Sequence, residues 1–560
     1  MRKTWRVKAA DPALQERLSS ELGISKITAQ LLANRGIAHA RDAQQFLSAS
    51  LSFCHDPLLL KGMKKAVERI RHAIAAGEKI LVYGDYDVDG ITAVATLFLA
   101  LKRLGASVEY YIPNRLEEGY GLNTAAIKKA HRDGVGLIVT VDCGTSSFKE
   151  VDYARGLGID IIITDHHEIM ERRVPEAMAV INPLQEDCPY PFKHLAGVGL
   201  AYKLVKALFE ETPFFAEDYL DLVSLGTVAD VTPLIGENRT LTKYGLEEIN
   251  KKSRVGLKAL IDVSRLDGKD ISSGHIGYIL GPRINAMGRI GSPQKSVELL
   301  LTEDGETAAI LAKTLDTENR NRQKIEAAIL EEALAKVERE VNFKDTRVIV
   351  LASEGWHPGV IGIVASRIVE RYCRPAILIS LGQTLGKGSG RSVETFHLFE
   401  YLLKCRDLLV GFGGHESACG LTIEKENVEA FRAEINKEAA KMPATAVFSQ
   451  KLDIDMEVAL NMLSEEAIHE IEKLEPFGEA NQRPVLSSRN LVVKDRPRMI
   501  GKAGFKILVT DRIVTCEAVS FGRRELAMPK TGAGVDLAYT PSMNEWQGVR
   551  SVQLELKDIQ

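Results

Sequence analysis

Eight side chains in the first half of the chain are of the types that hold and use a divalent cation. They are Asp85, Asp87 and Asp89 in GDYDVDG (84–90), Asp142 in VDCG (141–144), Asp165, His166 and His167 in TDHH (164–167), and Asp230 in VADVTP (228–233). In an extended segment alternate residues share a side, so the spacing of Asp85, Asp87 and Asp89 directs them to one point. Carboxylates that close repel one another unless a cation lies among them, and a hard divalent ion is the natural choice. Taken alone, Asp-x-Asp-x-Asp-Gly also fits an acidic surface turn or the opening of a calcium loop. The calcium loop needs a helix before it and a Glu six residues after the Gly. Here an apolar run precedes, and Thr96 occupies the later position.

The elements around these residues give them a common setting. Ile80-Leu81-Val82-Tyr83 reads as a strand, and from Ile91 apolar residues recur at helical spacing up to Gly105. The pattern repeats with strands at 108–113, 136–142, 159–165 and 178–183, and helices at 123–134 and 148–158. Short, continuous, β-branched runs separated by helices predict a parallel sheet buried on both faces, with its site beyond the carboxyl ends of the strands. Three of these strands run directly into acids or imidazoles. A single Asp after a strand is usually a helix cap, and Asp230 by itself is an ordinary helix-end residue. Three such ends in parallel register are hard to explain as caps. Carboxylates with imidazoles suit Mn²⁺ or Mg²⁺, with room for two ions, better than a thiolate zinc site. Cys143, beside Asp142, reads as a small packed residue rather than a nucleophile.

The chain has 560 residues, enough for several domains; 45% are hydrophobic and 26% charged, as in an ordinary soluble protein. No apolar run approaches a membrane span, and the first residues lack the apolar core of a secretory signal. The seven cysteines form no C-x-x-C pair, which fits a reducing cytoplasm. A net charge of −4 neither demands nor excludes nucleic acid, so any polyanion site must be a local basic surface.

Residues 1–55 read as a small helical N-terminal appendage, and 56–304 as the metal-bearing domain. Within the latter, GHIGYILGPRINAMGRIGSP (274–293) offers Arg283, Asn285 and Arg289 among glycines, either as a phosphate-positioning loop or as a connector with solvated arginines. Residues 306–341 contain no Gly or Pro and predict one helix, about 54 Å long at 1.5 Å per residue, that spaces two domains. The connecting segment is 305–344. A second α/β domain, 345–445, carries His357-Pro358-Gly359 before a helix, then GKGSGRSV (386–393) and GFGGHESACG (411–420). Ser389, Arg391 and His415 are its candidate anion contacts, and the glycines would let a ligand approach the backbone. Residues 446–560 are rich in short strands and suggest an OB-like β-barrel. Between Arg483 and Arg512 eight Lys or Arg stand against two Asp. Phe505, Phe521 and Trp546 are either stacking platforms for bases or barrel core.

GDYDVDG, VDCG, TDHH and VADVTP together resemble the DHH phosphoesterases, over roughly residues 75–445, with the single-strand-specific exonuclease branch as the nearest likeness. The resemblance implies an α/β multidomain protein: a parallel-sheet DHH domain, a long connecting helix, a DHH-associated domain and an OB-like barrel. It implies a two-metal site in which Asp87, Asp89, Asp142, His166 and Asp230 are ligands and Asp142 bridges. Asp85 and His167 match positions that ligate or support, Asp142 and His167 are the catalytic pair, and Asp165 orients the imidazoles. In the second domain Gly413-Gly414-His415 matches a motif that holds substrate phosphate, joined by Ser389 and Arg391. The implied reaction is 5′-to-3′ exonuclease digestion of single-stranded DNA to 5′-mononucleotides by two-metal hydrolysis, in DNA repair and recombination. The implied setting is a cytoplasmic monomer without membrane contact, whose protein partners are a single-strand-binding protein and a RecQ-type helicase. Two other readings stay open: a DHH phosphoesterase of short oligonucleotides or cyclic dinucleotides, and a non-catalytic replication scaffold. The basic C-terminal strands weigh against the first, and the complete ligand set against the second.

Overall fold

The computed structural model describes residues 3–114, 118–119, 121–442, 450–501, 504–522, 526–546 and 548–560, with the backbone alone described at Trp546. The chain divides into two units, one of residues 1–113, 120–281 and 451–560 and the other of residues 114–119 and 282–450.

The first unit opens with β1 (Thr4–Val7) and the helices α1 (Pro12–Leu22), α2 (Lys26–Ala33) and α3 (Ala40–Ser48), followed by α4 (Met63–Ala75). Then come β2 (Lys79–Gly84), α5 (Val88–Arg103), β3 (Ser107–Tyr111), α6 (Thr124–Arg132), β4 (Val135–Val141), α7 (Phe148–Gly156), β5 (Asp160–Thr164) and β6 (Ala179–Ile181). The five strands make an all-parallel sheet in the order β3-β2-β4-β5-β6. Ile80, Leu81, Val82 and Tyr83 are all buried, so both faces of β2 are covered, as its unbroken apolar run requires. The chain leaves β2 for β3 on one side and returns to β4 on the other, so the strand order reverses between β2 and β4. Such reversals open a crevice at the carboxyl ends of the strands. Past the sheet, α8 (Gly197–Phe209) and α9 (Leu220–Ala229) pack on α5. They are followed by α10 (Gly236–Lys251), α11 (Val255–Val263), the short α12 (Ser273–His275) and one π-helical turn, Ile276–Leu280.

The second unit takes in most of α13 (Gly281–Ile290), α14 (Gln294–Leu301) and α15 (Gly305–Glu340). Residues 274–293 are thus mainly helical and not a phosphate loop, which corrects the loop expectation. The predicted long helix is α15; its N-cap Asp304 accepts from Thr307 N at 2.7 Å. Its C-terminal half is no free spacer, because Ile329, Ala333 and Val337 share an apolar core with Ile349, Leu351 and Trp356. The sheet of this unit runs β10-β11-β9-β8-β7, built from β7 (Ile349–Glu354), β8 (Ala376–Leu381), β9 (Leu385–Arg391), β10 (Gly411–Gly414) and β11 (Ala418–Glu424). Helices α16 (Ile361–Tyr372), α17 (Leu398–Lys404) and α18 (Val428–Ala439) complete it. GKGSGR is a strand. A Cβ at Gly388 would lie 2.6 Å from Leu421 Cδ1, and one at Gly390 would lie 2.5 Å from Cys419 Sγ. These two glycines admit neighbouring core side chains; they do not open the backbone to a ligand.

The chain then returns to the first unit through β12 (Lys451–Ile454), β13 (Met456–Glu457) and α19 (Glu465–Glu472), and builds β14 (Leu486–Val493), β15 (Arg498–Ile500), β16 (Gly504–Thr510), β17 (Thr515–Ser520), β18 (Gly534–Trp546) and β19 (Val549–Ile559). The order β14-β18-β19-β17-β16 closes on itself where Val492 and Val493 of β14 pair with Thr510 and Val509 of β16. With β17 and β19 parallel, this is the five-stranded OB barrel the sequence suggested. Phe505 is buried in it, whereas Phe521 is 59% exposed; the side chain of Trp546 lies outside the described residues. The N-terminal residues are bound into this region. β1 pairs in parallel with β12, and Leu18, Ile27, Leu31 and Leu32 share one apolar core with Leu486, Leu537 and Leu556.

Candidate metal centre

The three acidic motifs meet at the carboxyl ends of β2, β4 and β5, the three adjacent strands of the sheet. Asp85 follows β2 directly. Asp87 is the N-cap of α5 and accepts from Gly90 N at 3.1 Å, and Asp89 lies in the first helical turn. Their convergence therefore comes from a strand-to-helix turn and not from extended alternation. Gly90 permits that turn, since a Cβ there would lie 2.6 Å from the Asp85 carbonyl oxygen. Asp142 follows β4 with φ of 60°, a left-handed conformation that Asp tolerates better than most residues. Asp165, His166 and His167 follow β5. Asp230 caps the C-terminus of α9.

These side chains form one cluster. His166 Nε2 lies 3.0 Å from Asp142 Oδ1 and 3.7 Å from both Asp89 Oδ2 and Asp230 Oδ2. Three overlapping sets have ligand atoms within 4.8 Å of one another: Asp85, Asp87 and Asp142; Asp89, His166 and Asp230; Asp142, His166 and His167. Asp89 is fixed by the start of α8, where Gly197 N–H and Val198 N–H donate to its two oxygens at 2.6 and 2.8 Å. Asp165 accepts from Thr145 N at 2.8 Å and lies 2.7 Å from His167 Nδ1, which leaves His167 Nε2 for the cluster.

The electrostatics are those of a cation site. Burial, then the neighbouring Asp87, pushes Asp89 up to about 7. Burial, then Asp89 and Asp87, pushes Asp230 up to about 9, and Asp142 is held well above the ordinary carboxylate range by burial and four aspartates. His166 is pushed down to about 4 by burial and by His167, so it is a neutral imidazole. Its buried Nε2 makes no hydrogen bond, although carboxylate oxygens surround it. A neutral imidazole nitrogen among oxygen donors fits Mn²⁺ or Mg²⁺.

Asp165 and His167 behave in the opposite way. Burial opposes charge on both, but their hydrogen bond and mutual attraction outweigh it, holding Asp165 at about 2 and His167 at about 9. His167 is thus charged in the metal-free protein. Its raised value contributes stability that is complete below the ordinary histidine value and is lost as pH rises through about 9. The lowered value of Asp165 contributes stability that is lost as pH falls through about 2. In Asp165→Asn the titration of His167, followed by NMR of the metal-free protein, should fall from about 9 toward or below ~6.5. A His167 titration that stays in place would show that Asp165 does not hold it.

Comparison with known proteins is consistent along the whole chain. Residues 79–227 match the DHH family, N-terminal domain; residues 345–441 the DHHA1 domain; and residues 454–558 the RecJ OB domain. The single-stranded-DNA-specific exonuclease RecJ of Bacillus subtilis (strain 168) is 39% identical over 561 residues, covering 99% of this chain and 70% of that protein. RecJ of Escherichia coli (strain K12) is 36% identical over 95% of each chain. The crystal structure of RecJ in complex with Mn²⁺ from Thermus thermophilus superposes with a TM-score of 0.86 at 30% identity, covering 100% of this chain and 80% of that one. The chain belongs to the RecJ family.

In this RecJ-family chain the structure brings together every residue expected at the metals, namely Asp85, Asp87, Asp89, Asp142, His166, His167 and Asp230. The expected substrate residues divide. Ser389 and Arg391 share one face of β9, with Arg391 Nη1 donating to Ser389 Oγ at 3.2 Å. Both underlie the start of α16, where a Cβ at Gly362 would meet Ser389 Oγ at 2.8 Å and Arg391 Nη2 at 3.1 Å. His415, just past β10, donates its N–H to Ala418 O, the residue paired with Arg391. Arg289 reaches Gly359 O at 3.2 Å, just before the same helix. Arg283 is turned to Asp316 of α15 at 3.0 Å, and Asn285 is half-buried on α13.

Three residues of the centre escaped the sequence reading. A Cβ at Gly197 would lie 2.7 Å from Asp142 Oδ1, and one at Gly226 would lie 3.0 Å from Asp89 Oδ1. Only glycine lets α8 and α9 come this close, and nothing local marks either position. Asn182, fully buried, donates to the His167 carbonyl at 2.9 Å and to Thr145 Oγ1 at 3.1 Å. It follows β6 directly, so it had the same strand-end signal as the acids.

Proposed function

We propose that the chain is a metal-dependent exonuclease specific for single-stranded DNA, digesting it from the 5′ end to 5′-mononucleotides in DNA repair and recombination. The observation that carries this is the cluster of five aspartates and the neutral His166 on one rim of the sheet, in a chain that also holds a closed OB barrel. A pair of Mn²⁺ or Mg²⁺ ions held by Asp85, Asp87, Asp89, Asp142, His166, His167 and Asp230 would supply a nucleophile at neutral pH and neutralise charge on the phosphoryl oxygens.

The chain's own residues do the rest. Asp142, central among the ligands, sets the spacing of the cluster. The amides of α8 hold Asp89 rigid. Asp165 takes the Nδ1 side of His167, leaving Nε2 to offer a lone pair to a cation or, when charged, a proton to a phosphoryl oxygen. Arg289, Ser389 and Arg391, with the start of α16 and His415, hold a phosphate of the strand; Arg283, tied to Asp316, and Asn285 have a lesser share. The barrel, with exposed Arg496 and Arg498, supports binding of a long strand over the reading as an enzyme of short oligonucleotides or cyclic dinucleotides.

All seven cysteines are free, which supports a reducing cytoplasmic setting, and among the described residues no helix is long and apolar enough to cross a membrane. Monomeric action beside a single-strand-binding protein and a RecQ-type helicase rests on the family resemblance. The test is digestion of end-labelled single- and double-stranded DNA with Mn²⁺, Mg²⁺ or EDTA. Label at the 5′ end of single strands should be released as mononucleotide, and EDTA should stop the release. Shortening from the 3′ end, equal attack on duplex, or activity that survives EDTA would overturn the reading.

A further inference from the structure

A cavity of about 290 Å³ lies in the first unit where the N-terminal segment, the start of α10 and residues 480–481 meet. That is the lower end of the range for small-ligand sites. Four rings line it: Phe46 in α3, Phe53 and His55 just beyond that helix, and Phe192. Phe53 is 45% exposed, and His55 and Phe192 are half-buried, so core packing does not use these rings up. Arg35 and Arg239 line the same cavity.

The two guanidinium charges have no counter-ion of their own. Arg239, only 2% exposed, stacks on Phe46 at 3.9 Å and gives its hydrogen bonds to the backbone carbonyls of Phe46, Lys473, Leu474 and Glu475. Arg35 donates to Asn481 Oδ1 at 2.7 Å and to the carbonyls of Leu31 and Gln482 at 2.9 and 2.8 Å. Carbonyls satisfy N–H groups but leave the charge, and a buried charge is costly until an opposite one joins it. Burial and the neighbouring Arg35 push Arg239 down to about 10, so the two cations oppose each other. The acids nearby are engaged elsewhere. Glu237 is taken by Lys203, the Tyr190 hydroxyl and His55 N–H at 2.5, 2.6 and 2.8 Å. Asp455, which attracts Arg35, is held by Lys8 at 2.9 Å, and Asp42 is exposed.

We propose that this cavity binds a nucleoside 5′-monophosphate, with its phosphate on Arg35 and Arg239 and its base against Phe53 and Phe192. A phosphate dianion matches two guanidiniums, where a carboxylate would compensate only one of them. A flat base is the body that exposed rings accept by stacking, whatever its sequence identity. At about 290 Å³ the cavity takes one nucleotide and not a strand. None of its lining residues belongs to the metal ligands or to the phosphate contacts of the second unit, so it is a separate site. A mononucleotide is also what the proposed digestion releases, but binding here stands independently of that reaction.

The test uses the full chain in EDTA, titrated calorimetrically with 5′-thymidylate, thymidine, inorganic phosphate and indole-3-acetate. Saturable binding of 5′-thymidylate should persist in Arg391→Gln, which removes a phosphate contact of the second unit. It should weaken on the order of tenfold in Phe53→Asp and be kept in Phe53→Tyr. Thymidine and phosphate alone should each bind more weakly by at least a similar factor. 5-Iodo-2′-deoxyuridine 5′-monophosphate, photolysed on the unchanged chain, should attach to a peptide carrying Phe46, Phe53 or His55. Nuclease activity on dilute DNA and thermal unfolding of Phe53→Asp should match those of the unchanged chain. Four results would overturn the proposal: equal affinity in Phe53→Asp, loss of all binding in Arg391→Gln, cross-links confined to the second unit, or tighter binding of indole-3-acetate than of 5′-thymidylate.

Discussion

Asp142→Asn should lower nuclease turnover by at least ~10³-fold, about 4 kcal/mol of transition-state stabilisation, while leaving the protein folded. Asn is the substitution to use because the site sits at φ of 60°, which Asn tolerates and Ala does not. Asp142 takes part in two of the three ligand sets and is the residue nearest His166 Nε2. The metal-free protein should be no less stable for the change. Asp142, Asp89 and Asp230 all titrate above the ordinary carboxylate range, so each contributes stability that is complete below that range and is lost as pH rises. In EDTA the unfolding temperature should fall as pH rises from about 4, fall less steeply above about 7, where Asp89 has ionised, and lose the last of this contribution by about 9, where Asp230 has. Added Mn²⁺ should reverse that fall in the unchanged chain and do so less in Asp142→Asn. Turnover that survives the substitution would remove Asp142 from the centre.

Truncation after residue 450 should give an insoluble or strongly destabilised protein rather than a shorter nuclease. Taken from the strand pattern alone, the barrel is a separable domain. In the structure its removal would uncover Leu18, Ile27, Leu31 and Leu32, each worth roughly 1.5–3 kcal/mol of burial. It would also strand Arg239. That buried guanidinium stacks on Phe46 at 3.9 Å and donates to the carbonyls of Lys473, Leu474 and Glu475, at the end of α19. An unsatisfied buried charge costs several kcal/mol more. A soluble truncate with an unchanged unfolding temperature would refute this packing. The role of the barrel is better tested at its surface. Arg496→Glu/Arg498→Glu should weaken binding to long single strands and reduce the salt dependence by about 0.7 per lost phosphate contact. Unchanged slopes would separate this surface from the DNA.

The spacing of polar residues along the chain determined where the chemistry lies. Apolar runs that end in Asp85, Asp142 and Asp165 must put those groups on one rim once the strands are parallel, because every strand then points the same way. Length and the lack of Gly and Pro likewise determined α15, since both act within one turn of helix. The finer shape of the acidic turn was not legible: Asp87 and Asp89 share a helix start rather than a strand, a choice made by Gly90 packing on the Asp85 carbonyl.

What only the tertiary structure decided are contacts between residues far apart in the chain. The glycines of β9 read as a ligand loop, but they exist to admit Leu421 and Cys419 from the next strand. The N-terminal segment read as an appendage, but it pairs with residues more than 400 positions later. Gly197 and Gly226 look like any helical glycine until α8 and α9 are laid against Asp142 and Asp89. Local sequence carries the period of an element and the chemistry at its end. Which surfaces approach within a Cβ of each other depends on the whole packed chain, and at this centre that approach sets where the carboxylates stand.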